Sequence, residues 1–256
     1  MSALRVFYVF FMNQLKSSKA AIISFSILSV ILVGLLSFLS IKGSFSSQEF
    51  FSSFGLVVWL MIGLTCTNVA GGIGIRDFDE KAGLLILSQP VKRYIILSAR
   101  LLASVLVVLL PVSMMYIAGW ILGYSIYSTS MNNVLLSYSI AFLYAFSFSS
   151  LIAMAGTISR RKADAINIGL SITLLSVFIF AVLENFFGIE PWFFLPYAGL
   201  AIGNALIVPY PAHVNPGSYF FRYTPYVQEA VLIMAVYAFF SLIMAFLVYS
   251  RRELVN

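Results

Sequence analysis

Charged residues are scarce in this sequence. Only 24 of the 256 residues are charged (15 basic and 9 acidic), while 61% are apolar. A mean hydropathy of +1.01 is far from the usual composition of a soluble domain, so that class is excluded. The sequence predicts an all-α integral membrane protein. Its length allows several spans with short connections but no large soluble domain, so we expect one transmembrane domain over residues 1–256.

Cysteine and histidine occur once each, as Cys66 and His213. One cysteine forms no intrachain disulfide, and one histidine is too few for a histidine-rich metal site. Cys66 lies in an apolar stretch, where we expect it to pack, and His213 lies in a loop between prolines. An intramembrane enzyme is therefore the least favoured hypothesis, and we predict no catalytic residues and no metal ligands in this chain.

A nucleotide-binding loop is also missing, because the pattern G-x-x-x-x-G-K-[ST] does not occur. The nearest glycine cluster, at positions 71, 72 and 74, lacks the lysine that would contact phosphate. Close helix packing is its better interpretation. We therefore expect no cofactor to bind to this chain.

Long uncharged intervals predict six membrane-spanning helices. A helix needs roughly 20 apolar residues to cross a hydrocarbon layer of about 30 Å. The longest uncharged interval is divided by the polar stretch YSIYSTSMNN. The predicted spans cover residues 20–41, 52–75, 94–123, 134–158, 165–187 and 229–250. Residues 3–17 predict a helix that lies in the membrane interface, with a simple extension of the first span as the alternative.

The basic residues are divided unequally between the two sides of the predicted membrane. With both termini in the cytoplasm, 13 of the 15 Lys and Arg residues lie inside, and only Lys42 and Arg222 lie outside. Cytoplasmic connections collect positive charge, so we predict this orientation. It accounts for the net charge of +6 without nucleic-acid binding. Arg100, about two turns inside the third span, is expected to extend its side chain towards the headgroups.

The most highly charged stretch is the predicted cytoplasmic loop RDFDEKAGLLILSQPVKR, residues 76–93. Acidic residues at its start, and a proline with basic residues at its end, predict a short helix at about residues 77–88. Its aliphatic run is too short to span and too apolar for open water, so we expect it to rest on the membrane or in a partner's groove. The residues that carry this prediction are Asp77, Asp79, Glu80, Leu84, Leu85, Leu87, Pro90 and Arg93.

The predicted external segment, residues 188–228, is apolar but interrupted. Its part FFLPYAGLAIGNALIV contains Pro196, two glycines and Asn204, and is too short and broken to span comfortably. Irregular backbone at membrane depth is tolerated only where protein shields it or a cavity adjoins it, so we predict a re-entrant helical hairpin. Residues 210–226 are expected to form an aromatic outer cap, or alternatively an ordinary interfacial belt.

Two carboxylates, Glu184 and Glu229, are predicted near the outer ends of spans five and six, at the interface. An ion-coupled carrier would be expected to place a carboxylate near the middle of the bilayer. The absence of one disfavours a carrier but leaves it open, because backbone carbonyls also bind ions.

The hexapeptide at residues 88–93, Ser-Gln-Pro-Val-Lys-Arg, resembles the end of the first cytoplasmic loop of ABC-2-type permeases, the membrane subunits of ATP-driven exporters. The similarity extends over nearly the whole chain. It includes the interfacial N-terminal helix, six spans with both termini inside, a short basic loop between spans four and five, and a long external segment before span six.

This resemblance implies a partner. Residues 77–88 would be a coupling helix inserted into a separate ATPase subunit, which would bind ATP and Mg. Arg160 and Arg161, in the basic loop, would make a second contact, or would alternatively be a positive-inside anchor without a partner. The resemblance also implies an exit gate at the outer mouth, formed by Phe193, Phe194, Pro196 and Asn204.

The resemblance further implies two membrane halves, either two copies of this chain or this chain with a sister permease. Ala165 and Gly169 in span five have the spacing for close helix approach and are the predicted dimer contacts, with Gly119 and Gly123 as the alternative. Cavity walls without a charged ring favour an amphipathic or lipid-like substrate. The predicted function is export across the cytoplasmic membrane.

Overall fold

The computed structural model describes residues 3–43, 45–75, 92–128, 131, 133–159, 161–214 and 222–251. Within these ranges the chain forms nine helices, and β pairing is limited to one isolated bridge between Val214 and Tyr223. The helices are α1 (Ala3–Ser17), α2 (Lys19–Ile41), α3 (Ser47–Ala70), α4 (Arg93–Tyr127), α5 (Val134–Ile158), α6 (Lys162–Phe186), α7 (Leu195–Gly199), α8 (Ala201–Asn204) and α9 (Val227–Arg251).

Six of these helices are long and apolar enough to cross a membrane: α2, α3, α4, α5, α6 and α9. The predicted number of spanning helices is confirmed, and the chain has the make-up of a multi-pass membrane protein. The third is the longest, with 35 residues and Pro111 inside it. The predicted coupling helix at residues 77–88 lies outside the described residues.

The start of α3 shows how the sequence sets a helix boundary. The hydroxyl of Ser46 accepts the backbone N–H of Glu49, and the carboxylate of Glu49 accepts the backbone N–H of Ser46 at 2.7 Å. This reciprocal pair is a capping box, which satisfies two N–H groups that have no partner within the helix. It places the start of α3 a few residues before the predicted span.

Three helices form the centre of the bundle. We compare the most apolar stretch of 18 residues in each spanning helix. In that stretch, 67% of the residues in α3, 72% in α4 and 56% in α5 are buried, against 22% in α2 and α6 and 28% in α9. The outer helices therefore present most of their apolar surface outward. α3 contacts α2, α4, α5, α6 and α8, whereas α9 packs chiefly on α5.

The ends of the helices define two ends of the bundle. At the first, named the basic end, Lys19 begins α2, Arg93 begins α4, Lys162 begins α6 and Arg251 lies in the last turn of α9. At the second, named the cap end, α7, α8 and the chain around them cover the bundle. Of the basic residues that the structure describes, Lys42 and Arg222 lie at the cap end.

Helix α1 is separate from α2 and packs on α4. Its buried face includes Gln14, whose amide donates to the Val69 carbonyl and to the Ser104 hydroxyl, both at 3.3 Å. On its other face Leu4 is 82% exposed and Tyr8 is 61% exposed. An apolar outward face is what an interfacial helix presents to lipid, but the position of α1 in a membrane stays a prediction.

Arg100 is covered by α1. Its side chain is buried, and the guanidinium carbon lies 5.6 Å from the centroid of the Phe10 ring on α1. The aromatic face attracts the cation and covers it. The sequence of the span alone did not indicate this partner, and the extension of the side chain towards the headgroups stays a prediction.

Helices α7 and α8 form a short interrupted segment that the protein shields. Only Leu200 lies between them, and its backbone is also right-handed helical, so no reversing turn separates the two helices. α7 packs on α5, α6 and α9, and α8 packs on α3 and α5. The irregular backbone is thus covered by helices, as such a segment requires at membrane depth, and its insertion into a bilayer stays a prediction.

Candidate functional site

Glycines bring the interrupted segment directly against α3. A Cβ atom on Gly55 would lie 1.9 Å from the Cα of Gly203, so the two backbones are in contact. A Cβ atom on Gly199 would lie 2.4 Å from Cδ1 of Trp59. Larger residues at these positions would force the helices apart. The segment formed by α7 and α8 is therefore in direct contact with α3.

A chain of hydroxyl groups fixes the same segment to α4 and α5. The Ser137 hydroxyl donates to the Ile202 carbonyl at 2.6 Å, and the Tyr116 hydroxyl lies 2.6 Å from the Ser137 oxygen. The Ser137 hydroxyl has one hydrogen and donates it to the Ile202 carbonyl. In the contact with Ser137, the Tyr116 hydroxyl must therefore be the donor. All three residues are buried, so the loss of one would leave its neighbours without a partner.

A cavity of about 440 Å³ opens at the cap end, between α3, α8 and the chain that follows α8. This volume lies in the range of small-molecule sites. The cavity is the candidate functional site. Its lining residues include Gln48, Ser52, Leu56, Asn204, Tyr210 and Thr224.

Tyr210 holds one wall of the cavity in place. Its hydroxyl donates to the Pro225 carbonyl at 2.6 Å and so joins two chain segments of the cap, residues 209–214 and 222–226. Burial raises the pKa of Tyr210 to about 12, against the opposing effect of a hydrogen bond with Asn204. The hydroxyl therefore stays protonated at physiological pH and keeps its donor role.

His213 joins the same two segments of the cap. The backbone N–H of Thr224 donates to the His213 carbonyl, and His213 Nδ1 lies 2.8 Å from the Thr224 carbonyl. A carbonyl only accepts, so Nδ1 carries a hydrogen. The ring also stacks on Tyr226, with centroids 4.4 Å apart. His213 lies in a loop, as predicted, but it is packed between other side chains.

Glu190 connects His213 to α7. His213 Nε2 lies 3.3 Å from one carboxylate oxygen of Glu190, and the Tyr197 hydroxyl donates to the other oxygen at 2.8 Å. Burial and the Glu190 carboxylate raise the pKa of Tyr197, so its hydroxyl remains a donor.

Glu184 was predicted at the interface, but its side chain is fully buried. One carboxylate oxygen accepts the backbone N–H groups of Arg222 and Tyr223, the second at 3.3 Å. The other oxygen has no hydrogen-bond partner among the described residues. Glu184 thus holds the returning chain of the cap on the end of α6. No local pattern indicated this, because the partners lie 38 and 39 residues away.

The four predicted gate residues lie in different surroundings. Phe193 is 46% exposed, and its carbonyl accepts the Tyr237 hydroxyl of α9 at 3.1 Å. Phe194 packs on aromatic residues of α6 and α7, and Pro196 is buried in the first turn of α7. Of these four residues, Asn204 lines the cavity. Their action as a gate stays a prediction.

Two of the predicted coupling residues lie in the described part of the chain. Arg93 donates to the Ser250 carbonyl at 2.9 Å and so satisfies a free carbonyl at the end of α9. Arg161 is exposed immediately before α6. The others lie outside the described residues: Asp77, Asp79, Glu80, Leu84, Leu85, Leu87, Pro90 and Arg160.

The predicted dimer residues are buried within the chain. Ala165 is fully buried, and a Cβ atom on Gly169 would lie 2.5 Å from the Thr67 hydroxyl oxygen and 2.7 Å from Cδ1 of Ile152. The alternative position, Gly119, is equally close to Phe54. Packing inside the chain explains these small residues, and dimer contacts through them stay a prediction.

Packing roles predicted for the glycine cluster and for Cys66 are confirmed. A Cβ atom on Gly74, which has a φ of +85°, would lie 2.9 Å from Cγ2 of Thr157. Cys66 is buried, and the Ser149 hydroxyl donates to its sulfur at 3.2 Å. In the described ranges, no group of three or more His, Cys, Asp or Glu residues is placed to hold a metal ion.

Comparison with known proteins does not assign the chain to a family. No protein-family model matches it, and no curated protein matches it.

Proposed function

We propose that this chain is the membrane-spanning permease subunit of an ABC-2-type exporter, with its termini and basic end in the cytoplasm. The distribution of charge between the two ends supports this best. The first or last turns of α2, α4, α6 and α9 carry Lys or Arg at the basic end. Of the five described carboxylates, four lie at the cap end. This asymmetry is typical of a positive cytoplasmic side.

The loop at residues 76–91 connects α3 with α4 at the basic end. The Gln14 side chain contacts both Val69, near the end of α3, and Ser104, about three turns inside α4. These two helices therefore lie close together towards the basic end, and residues 76–91 join them in the sequence. In this proposal the loop contains the coupling helix, bound to a separate subunit that hydrolyses MgATP and transmits its closure to α3 and α4.

The proposed substrate is amphipathic or lipid-like. The outer helices α2, α6 and α9 expose long apolar faces, and most residues in their spanning windows are not buried. Such faces serve both lipid contact and association with a second membrane half. A second copy of the chain, or a sister permease, would complete the pathway across the cytoplasmic membrane, and neither half would bind nucleic acid.

The partner is tested by a pull-down in mild detergent from native membranes, followed by an ATPase assay of the eluate. We expect wild type to recover an ATP-hydrolysing subunit, and Leu85→Asp or Leu87→Asp to release it, because a buried carboxylate opposes groove binding. Leu135→Asp is the matched control, since Leu135 is 80% exposed at the opposite end of the bundle. Recovery of no ATPase under any condition would contradict the proposal.

A second candidate is an ion-coupled carrier, and Glu184 favours it. This carboxylate is fully buried, and one of its oxygens has no partner among the described residues. Buried carboxylates of this kind bind protons or cations in carriers. Transport that is abolished by an ionophore and by Glu184→Gln, but persists after ATP depletion, would favour the carrier over the exporter.

A further inference from the structure

The cavity at the cap end is lined by polar groups without charge. Amides and hydroxyls both donate and accept hydrogen bonds, and they form much of its surface. The polar residues concerned are Gln48, Ser52, Asn204, Tyr210 and Thr224. Neighbouring carboxylates are engaged elsewhere, Glu49 with Ser46 and Glu190 with Tyr197. The lining therefore suits a ligand with several hydroxyl groups better than an ion.

Two of these polar side chains make no hydrogen bond within the part of the chain that the structure describes. Neither the Gln48 amide nor the Thr224 hydroxyl makes a hydrogen bond to another residue in the described part of the chain. Thr224 is only 8% exposed, and its backbone is fixed by the pairing with His213. A side chain held in place with an unused hydroxyl is suited to binding, because no intrachain bond must break first.

The rest of the lining is apolar and aromatic. Leu56, Leu200 and Ile207 contribute aliphatic surface, and Tyr210 and Tyr223 contribute aromatic rings. The negative face of an aromatic ring attracts the C–H groups on the face of a sugar ring. Aliphatic surface next to such a site accommodates the first carbons of a lipid chain.

We propose that this cavity binds an uncharged headgroup with several hydroxyls, of which the sugar of a neutral glycolipid is the main representative. The same chemistry is offered by a free neutral sugar, so the experiment must separate the two sources. The proposal does not rest on the exporter function, because binding is measured with this chain alone, without an ATPase subunit or transport.

The test uses the purified full chain in nanodiscs of phosphatidylcholine that contain diglucosyl diacylglycerol, and counts retained lipids by native mass spectrometry. We expect about tenfold preferential retention of the glycolipid over phosphatidylcholine. The double variant Gln48→Ala, Thr224→Val should lose about tenfold in binding, as expected for two neutral hydrogen bonds. Gln228→Ala is the matched control, because Gln228 is exposed and outside the cavity lining.

A second measurement locates the ligand without depending on the double variant. Ser52→Cys places a reporter in the lining, and the native Cys66 is buried, so a maleimide should label position 52 alone. Glycolipid should slow this labelling. If free maltose slows it equally, the headgroup alone is the ligand, and if maltose has no effect, the lipid chain is required. Retention equal to that of phosphatidylcholine, or unchanged binding by the double variant, would overturn the proposal.

Discussion

The two ends of the helix bundle are held together in different ways. At the cap end, backbone meets backbone at Gly55 and Gly203, and Ser137 joins three helices through short hydrogen bonds. At the basic end, long side chains span some of the gaps, as Gln14 does between helices and Arg93 does towards α9. Close contacts occur there too, since a Cβ atom on Gly156 would lie 2.6 Å from the Ile73 carbonyl oxygen. Close backbone contacts fix the distance between helices, whereas long side chains keep their contacts when helices shift. The basic end thus combines both kinds of contact, and the contact through Arg93 is one that tolerates movement.

The largest effect is expected at the glycine contact of the cap end. Gly55→Val would place side-chain atoms where Gly203 already lies, and we expect a loss of at least ~3 kcal/mol in the free energy of unfolding. Thermal unfolding in detergent, with size-exclusion chromatography, measures it. Gly34→Val is the control, since a Cβ atom there would meet nothing within 4 Å. Equal stability of the two variants would show that the helices do not meet as described.

Breaking the hydroxyl chain should have the next largest effect. Ser137→Ala leaves the Ile202 carbonyl and the Tyr116 hydroxyl buried without this partner, at a cost of about 1–3 kcal/mol in the free energy of unfolding. Ser139→Ala removes a hydroxyl that is exposed and bonded only to its own helix. Denaturation of both variants under the same conditions should show a smaller loss for Ser139→Ala, and the reverse order would contradict the network.

The Glu184 contact is tested by local opening of the cap. Glu184→Ala removes the acceptor for the backbone N–H groups of Arg222 and Tyr223, so the chain there should open more often. Trypsin cleavage after Arg222 should accelerate several-fold. Glu184→Gln keeps an acceptor oxygen and should stay close to the wild-type rate. Equally fast cleavage of both variants would mean that the negative charge, and not the acceptor, holds the chain.

The smallest effect is expected at the basic end. Arg93→Gln removes a charged donor from the end of α9, at a cost of about 0.3–1 kcal/mol. Hydrogen exchange should increase in the last turn of α9 and remain unchanged at the cap end. Lys92→Gln makes the same charge change one residue earlier and serves as the control. A global loss of stability would contradict the assignment of Arg93 to the end of α9 alone.

Sequence features that act locally were predictable. The lengths of the apolar intervals determined the number of spans, and residues 3–17 were predicted as a helix apart from the first span. The capping box at Ser46 and Glu49 is a four-residue pattern, and it marks the start of α3 in the sequence itself. These features depend on neighbours within one or two helical turns, so a single sequence contains them.

Features that depend on partners distant in the chain were not predictable. Arg100 is covered by Phe10, and Glu184 accepts N–H groups from a segment almost 40 residues away. Asn204 was singled out, but the cavity that it lines also needs Gln48 and Thr224, from two other segments. Periodicity and charge indicate where such residues lie along a helix, but not which side chain meets them.

Helix α4 is longer than one crossing of a bilayer requires. Its 35 residues extend about 52 Å at 1.5 Å per residue. A hydrocarbon layer of about 30 Å is far shorter, so α4 must tilt, bend or project beyond the layer. Because α4 also contacts α1 at the basic end and α5 near the cap, a change in tilt would act on both ends together. Thinner and thicker bilayers should therefore favour different relative positions of the two ends.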